Sequence, residues 1–245
     1  MLSKAQIKFI QSLRQKKYRQ KYAQFMIEGD KIVKEAIATE YPLKLIAATQ
    51  SWLAHNAAVI PKQVEVVETT EQEIAKASNL QTPQPVIAIA SQRETNRVVR
   101  NELSWEIALD NINDPGNFGT IIRSADWFGV KNVFCSHDCV DVFNPKVIQA
   151  SMGSVFRVEV AYVDLKNFLS SASQKKYAAT LNGTSLYELK KIEPGILLVG
   201  NESHGINEEL GKFCEEKITI PKTGGAESLN AAVACSIILS HVVRS

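Results

Sequence analysis

Apolar and polar positions alternate along the first third of the chain in a way that predicts short strands between helices. The apolar runs FMIE, LKLIAAT, VEVVE and VIAIA are rich in Val and Ile and predict strands. Helical spacing is found in residues 3–22, from Gly29 to about Thr39, and in residues 71–77. The pattern predicts a small α/β domain over residues 1–92, which begins with one helix spanning residues 3–22.

A polar stretch interrupts this alternation and predicts a linker over residues 93–105. The alternation resumes over residues 106–245. Predicted strands contain EIALDNI, KNVFCS, VFRVEVAYV, KYAATL, ILLVGNE and KITIP, with helices between them. The last helix is expected from about Leu229 to Arg244. Strands that alternate with helices predict a mostly parallel sheet covered on both faces, and ligands bind at the carboxyl ends of such strands.

The charge of the chain is concentrated at its N-terminus. Residues 1–34 carry nine Lys and Arg and two acidic residues, a formal charge of +7, whereas the whole chain carries only +2. Such a basic segment favours a polyanionic partner, with RNA or DNA first. Charge alone leaves open the alternative of a solvated helix face.

Other features narrow the class of protein. Hydrophobic residues make up 45% and charged residues 22% of 245 residues, which is typical of a globular chain. The four cysteines contain no C-x-x-C pair, and Cys135, His137 and Cys139 lack a second ligand pair, so no metal is predicted and buried thiols are expected. Neither a signal peptide nor a run long enough to cross a bilayer is predicted, and the expected location is the cytoplasm.

Three loops that follow strands contain the candidate chemistry. In the first, Asp114-Pro115-Gly116 predicts a tight turn, and Asn117 is expected to cap the next helix. Arg123 follows among apolar neighbours. We therefore expect a largely buried guanidinium with a fixed partner, well shaped to bind phosphate; a surface ion pair is the alternative.

The second and third loops are rich in glycine. Gly200 ends an apolar strand, which would let a ligand approach the backbone, and Glu202 follows; in isolation this pattern also suits an ordinary helix entry. In the third loop, a Gly-Gly turn precedes Ser228, Asn230 and a helix that is apolar on all sides. Because such a helix must be buried, its polar N-terminus is expected at an interior site where a ligand satisfies the polar groups.

Several enzyme classes lack support. The sequence contains no G-x-G-x-x-G, no P-loop and no G-x-S-x-G motif. His204 and His241 have no evident triad partner, which disfavours a hydrolase.

Taken together, the loops resemble the motifs of the SpoU (TrmH-like) RNA ribose methyltransferases of the SPOUT superfamily. The first resembles D-P-x-N-x-G…R, the second G-x-E-x-x-G and the third I-P-x-x-G-x-x-x-S-L-N, in the family's order. FMIEGDKIVKEAI, after a basic helix, also looks like a substrate-binding domain of this family. Lys222 departs from the family pattern, in which an apolar residue is common after Ile-Pro.

The resemblance implies a trefoil-knotted catalytic domain that binds S-adenosylmethionine and transfers its methyl group to a ribose 2′-hydroxyl of rRNA or tRNA. It implies a homodimer whose active site is completed across subunits. The implied catalytic residues are Asn117, Arg123, Glu202, Ser228 and Asn230. The implied cofactor-binding residues are Thr180, Leu181, Asn182, Gly200, Ile220 and Leu229.

The implied role of Arg123 is either to act as the base or to bind a neighbouring phosphate. Because a guanidinium ordinarily stays protonated, positioning and electrostatic stabilisation are favoured. Two alternatives to the whole interpretation remain at this point. One is a non-catalytic RNA-binding or ribosome-assembly factor on the same fold, and the other is an unrelated α/β enzyme acting on a small anion.

Overall fold

The structure is a computed structural model that describes residues 1–93, 100–189 and 192–243. The described helices, in chain order, are α1 (Lys4–Ser12), α2 (Lys16–Tyr22), α3 (Asp30–Ala38), α4 (Gln50–Asn56), α5 (Glu71–Ala77), α6 (Pro115–Trp127), α7 (Pro145–Ser151), α8 (Leu165–Ser171), α9 (Glu208–Gly211) and α10 (Ala231–Val242). The described strands are β1 (Gln24–Glu28), β2 (Leu43–Thr49), β3 (Glu65–Thr69), β4 (Val86–Ser91), β5 (Glu106–Leu109), β6 (Asn132–Cys135), β7 (Glu159–Tyr162), β8 (Lys175–Ser185), β9 (Gly195–Val199) and β10 (Glu216–Thr219).

These residues form two compact units. The first comprises Met1–Arg93 together with Phe143–Phe156, and the second comprises the other described residues. The assignment of an RNA-binding domain to residues 1–92, a linker to 93–105 and a catalytic domain to 106–245 stays a prediction. Residues 94–99 of that linker, and Arg244 of the predicted last helix, lie outside the described residues.

The first unit contains a mixed sheet of four strands in the order β1-β4-β2-β3. Strands β2 and β3 are parallel, whereas β4 runs antiparallel to β1 and β2. An apolar cluster on this sheet includes Met26, Ile87 and Ile89 with Ile10 and Leu13. The small α/β domain predicted from the alternating pattern is therefore present.

The prediction of one continuous helix over residues 3–22 is wrong. The chain breaks between α1 and α2, and Arg19 is buried rather than solvated. Its Nη1 donates to the carbonyl oxygens of Leu13 at 3.0 Å and Arg14 at 2.8 Å. A buried guanidinium needs such acceptors, and the carbonyl groups of the turn between α1 and α2 provide them.

A later segment of the sequence completes the first unit. The ring of Phe143 lies 4.6 Å from that of Phe25, and Gln149 Nε2 in α7 donates to the carbonyl oxygen of Glu28 at 2.7 Å. Gly153 has a φ of 94°, and a Cβ at this position would lie 2.8 Å from Cβ of Glu35. This helix and the turn after it thus pack as part of the N-terminal unit.

The second unit contains a sheet of six parallel strands in the order β10-β8-β9-β5-β6-β7. All residues of β5, β6 and β9 are buried, as expected when helices cover both faces. Phe134, Leu198 and Leu169 belong to the apolar cluster on one face. The predicted mostly parallel sheet is confirmed, and the trefoil knot stays a prediction. No helix within the described residues is long and apolar enough to span a bilayer.

Candidate functional site

A cavity of about 820 Å³ lies in the second unit, at the carboxyl ends of β9 and β10 and beside the middle of β8. The segments that line it include residues 179–182, 199–206 and 217–224. All six predicted cofactor-binding residues belong to its wall: Thr180, Leu181, Asn182, Gly200, Ile220 and Leu229. The cavity also includes Glu202 and Ser228 from the predicted catalytic set. Its volume falls within the range of ordinary small-molecule sites.

A break in the pairing of β8 opens one wall of the cavity. Lys217 of β10 pairs with Ala178, but the next residue, Ile218, pairs with Thr184. Pairing of β8 with β9 also ends at Ala178. Residues 179–182 therefore lie outside both ladders, where their backbone groups can hydrogen-bond a ligand.

The loop after β9 requires glycine at position 200. The predicted reason is close approach of a ligand to the backbone, but the structure shows a different one. A Cβ at this position would lie 2.3 Å from the carbonyl carbon of Gly205 and 2.4 Å from the amide nitrogen of Ile206. The loop turns back through paired Asn201 and Gly205, and Gly205 has a φ of 69°. The missing side chain thus makes room for the protein's own backbone at the cavity wall.

A chain of hydrogen bonds joins one residue from each of the three motifs. Asn230 Nδ2 donates to Asn117 Oδ1 at 2.7 Å, and Asn117 Nδ2 donates to Glu202 Oε1 at 2.5 Å. The three residues are 113 and 85 positions apart in these two contacts. The structure therefore brings together Asn117, Glu202 and Asn230, as the predicted site requires.

Helix caps hold the two asparagines of this chain in place. Asp114, and not the predicted Asn117, caps α6, and its Oδ1 accepts the backbone N–H of Asn117 at 2.7 Å. Asn230 caps α10 and accepts from the backbone N–H groups of Ala232 and Val233. Because Asp114 does the capping, the amide of Asn117 is free to contact Glu202 and Asn230.

The predicted environment of Arg123 is wrong. Ile121, Ile122 and Ala125 occupy the buried face of α6, and Arg123 is exposed on the other side with Trp127. Within the described part of the chain, its guanidinium makes no hydrogen bond or ion pair, and it does not line the cavity. The apolar neighbours suggested burial, but helical periodicity turns position 123 outward.

The third loop is also more exposed than predicted. Residues 221–230 are all exposed, whereas six of the twelve residues of α10 are buried. Neither Gly224 nor Gly225 has a positive φ, and a Cβ at either position would meet no atom within 4 Å. Val233, in the first turn of α10, is 45% exposed, so part of the apolar surface of this helix is solvent-exposed in a single chain.

Two further contacts that sequence reasoning missed connect the first two loops. Asn201 Nδ2 donates to the carbonyl oxygen of Asn111 at 2.8 Å, and Asp110 Oδ2 accepts the backbone N–H of Asn207 at 2.8 Å. Asn111 has a positive φ of 57°. The sequence does contain a signal for these contacts. Asp110 and Asn111 are polar residues directly after the buried strand β5, at the edge of a parallel sheet where functional side chains collect.

The cysteines belong to the core and not to this cavity. Cys135, Cys139 and Cys235 are buried, as predicted, whereas Cys214 is only partly buried. A hydrogen bond with the Cys135 thiol is the main cause that lowers the pKa of Cys139 to about 7, and burial raises the pKa of Cys235 to about 12. No cluster of three or more potential metal ligands occurs among residues 1–93, 100–189 and 192–243.

A parallel sheet has a cavity at its carboxyl edge, lined by the second and third motif loops, and Asn117 of the first loop hydrogen-bonds to Glu202 in that lining. This arrangement matches the class inferred from the motifs, a methyltransferase that uses S-adenosylmethionine. The sequence matches the SpoU rRNA Methylase family over residues 104–240 and the MRM3-like substrate binding domain over residues 4–88.

Individual relatives agree over nearly the whole chain. The 23S rRNA (guanosine(2553)-2′-O)-methyltransferase RlmP of Bacillus subtilis (strain 168) is 30% identical over 96% of this chain and 95% of its own. A putative RNA methyltransferase of the TrmH family from Porphyromonas gingivalis has a TM-score of 0.89 at 38% identity, covering 100% of both chains. An AdoMet-bound rRNA methyltransferase from Sinorhizobium meliloti has a TM-score of 0.88 at 32% identity, covering 100% of this chain and 96% of its own.

The chain belongs to the SpoU rRNA methylase family. The predicted family, fold class and enzyme class, an S-adenosylmethionine-dependent rRNA methyltransferase, are confirmed. The family match also removes the alternative of an unrelated α/β enzyme acting on a small anion. The individual roles predicted for the site residues stay predictions.

Proposed function

We propose that this protein transfers a methyl group from S-adenosylmethionine to a ribose 2′-hydroxyl of large-subunit rRNA, in a homodimer that completes the active site. The main support is the hydrogen-bonded chain of Asn230, Asn117 and Glu202, since it joins all three family motifs beside the cavity. The Bacillus subtilis relative is named for 2′-O-methylation of a guanosine in 23S rRNA, which supports rRNA over tRNA.

The cavity suits S-adenosylmethionine in size and in the groups that it offers. The apolar side chains of Leu181, Ile220 and Leu229 provide surface for an adenine ring, and the unpaired backbone of residues 179–182 provides donors and acceptors. When bound, the cofactor supplies an electrophilic methyl group on a sulfonium. Binding the donor is thus the task of the cavity, and Ser228 is proposed to orient the ribose.

Arg123 is proposed to act on the RNA. A 2′-hydroxyl is a weak nucleophile, so it needs positioning and a route for its proton. A guanidinium that stays protonated can bind the adjacent phosphate in a bidentate manner and stabilise charge that develops on the oxygen. Its exposure and its lack of a described partner leave it available for this contact.

The proposed homodimer accounts for the position of Arg123 outside the cavity. Arg123 and Trp127 are four residues apart and share one face of α6, where Trp127 is 82% exposed. This helix packs against α10, with Ser124 Oγ and Ser236 Oγ 2.6 Å apart, and α10 exposes Val233. Exposed apolar groups on adjoining helices are typical of a subunit interface. An interface at this position is proposed to place Arg123 next to the cavity of the partner subunit.

The first unit is proposed to bind the RNA substrate through its basic segment, whose lysines contact phosphates. This supplies affinity without a choice of sequence. The reaction is proposed to take place in the cytoplasm.

Transfer of labelled methyl groups tests the proposal. The protein is incubated with labelled S-adenosylmethionine and rRNA or tRNA from cells that lack this gene, and ribose methylation is then mapped. Transfer to a single 2′-hydroxyl of large-subunit rRNA is expected. We expect R123A to lose at least about 100-fold in kcat while its affinity for S-adenosylmethionine stays within about twofold. Binding of the donor without transfer to any RNA would instead support a non-catalytic factor.

A further inference from the structure

Two tyrosines on α2 form a partly exposed aromatic surface with lysines above their rings. Tyr18 and Tyr22 lie one turn apart, with ring centroids 6.3 Å apart and planes within 12° of parallel. Lys17 Nζ lies 4.8 Å from the centroid of Tyr18, and Lys21 Nζ lies 5.3 Å from that of Tyr22. Tyr22 is 39% exposed. We call these four residues the tyrosine–lysine surface.

Contacts from behind hold this surface in place. The ring of Phe9 on α1 meets the ring of Tyr22 edge-on at 5.1 Å, and Phe9 also packs against the core of the first unit. Gln11 Nε2 donates to the carbonyl oxygen of Lys76 at 2.7 Å, and Arg14 Nη2 donates to the carbonyl oxygens of Ala77 and Ser78. The rings thus lie on helices that are attached to the C-terminal end of α5. Because these helices are already ordered, binding at the rings costs little conformational entropy.

The segment of sequence that contains the rings carries charge of one sign. Residues 1–27 contain no acidic residue. Five lysines of α1 and α2 are exposed: Lys4, Lys8, Lys16, Lys17 and Lys21. A partner is therefore expected to combine closely spaced negative charges with flat apolar rings, which describes a single-stranded nucleic acid.

We propose that the tyrosine–lysine surface binds an unpaired segment of the RNA substrate, with a base stacked on Tyr22 or Tyr18 and the neighbouring phosphates on Lys17 and Lys21. This rests on the proposed function and adds to it, because phosphate contacts alone do not distinguish duplex from single strand. In a duplex the faces of the bases are covered by their neighbours, whereas an unpaired base can stack on an aromatic ring. The surface thus directs the enzyme to loops or ends of rRNA.

Binding of a fluorescein-labelled 12-nucleotide unstructured RNA, compared with a 12-base-pair RNA duplex, tests the proposal by anisotropy at several salt concentrations. We expect Y18L/Y22L to bind the single strand at least about fivefold more weakly, with an unchanged salt slope. Y18F/Y22F keeps both rings and is expected to bind normally. K17Q/K21Q is expected to lower the salt slope by about 1.4. The matched control K44Q/K62Q changes two exposed lysines outside α1 and α2 and is expected to leave the salt slope unchanged.

The outcomes separate this proposal from the proposed function. Normal single-strand binding by Y18L/Y22L, or equal losses with single strand and duplex, would overturn the tyrosine–lysine surface even if rRNA is methylated. Tight binding of an acidic peptide in place of the RNA would also overturn it. Conversely, a protein that binds single strands through these rings but transfers no methyl group would refute the proposed function alone. Thermal unfolding of each variant confirms that the fold is intact.

Discussion

Asn117 is the middle residue of the hydrogen-bonded chain that joins the three motifs. Its amide uses both of its ends, because the nitrogen donates to Glu202 and the oxygen accepts from Asn230. An aspartate has the same shape but lacks the donor and adds a negative charge beside Glu202. The contact therefore requires both the donor and the acceptor of an amide, and an aspartate of the same shape provides only acceptors.

We expect N117D to lower kcat by at least about tenfold, since two carboxylates at this distance repel and move apart. Reversing the polarity should repair the contact, because the amide of E202Q can donate to the new carboxylate. The double variant N117D/E202Q is thus expected to recover activity relative to N117D. Steady-state kinetics of both single variants and the double variant measure the coupling. Additive losses would show that the two side chains act separately.

At this scale the sequence predicts which motif residues come together better than it predicts which side chains are buried. Asn117, Glu202 and Asn230 could be identified because their residue types recur in fixed motifs, and they do come together. The exposure of Arg123 could not be predicted from its apolar neighbours. It depends on which face of α6 meets the sheet, and that is a tertiary choice.

Among the elements, the loop after β9 depends on glycine and the loop after β10 does not. Gly200 has the backbone of Gly205 and Ile206 against its Cα, whereas Gly224 has open space. Both glycines belong to family motifs and both line the cavity. They therefore form a matched pair for the same substitution.

We expect G200A to displace the loop after β9, weaken S-adenosylmethionine binding by at least about tenfold and lower the stability by about 1–3 kcal/mol. G224A is expected to change neither by more than about twofold or 0.5 kcal/mol. Calorimetric titration with the cofactor and thermal unfolding measure these effects. A large loss of affinity in G224A would mean that the cofactor approaches that backbone closely, while a silent G200A would contradict the crowding argument.

Strands and helices with clear periodicity could be predicted along most of the chain, but two features of these elements could not. The break between α1 and α2 follows from the burial of Arg19, a residue that a periodic reading places in solvent. The interrupted pairing of β8 depends on its neighbours β9 and β10, which lie far away in the sequence. Neither feature has a local signal in the residue pattern.

The molecule as a whole is proposed to work as a dimer in which Arg123 serves the other subunit's cavity. This makes a prediction about mixed subunits. R123A and E202Q, each impaired alone, are expected to recover about a quarter of the wild-type activity when co-expressed and purified as a heterodimer-containing mixture, because half of the dimers then hold one intact site.

A third variant provides the control for that mixing experiment. W127E places a charge on the proposed interface and is expected to yield a monomer by sedimentation; adding it to both chains should abolish the recovery. Activity that fails to recover in the mixture, although dimers are present, would place Arg123 in the same subunit as the cavity that it serves.

The position of Phe143–Phe156 in the first unit has a consequence for synthesis of the protein. As the chain leaves the ribosome, strands β1 to β4 emerge early, but Phe25 has no Phe143 to pack on until more than a hundred further residues have been translated. The N-terminal unit is therefore synthesised with an apolar surface exposed, and this surface stays exposed until β5 and β6 have also been translated. If the gene is cut at residue 92, each fragment lacks part of the packing of the first unit. The two fragments are therefore expected to fold fully only when both are present.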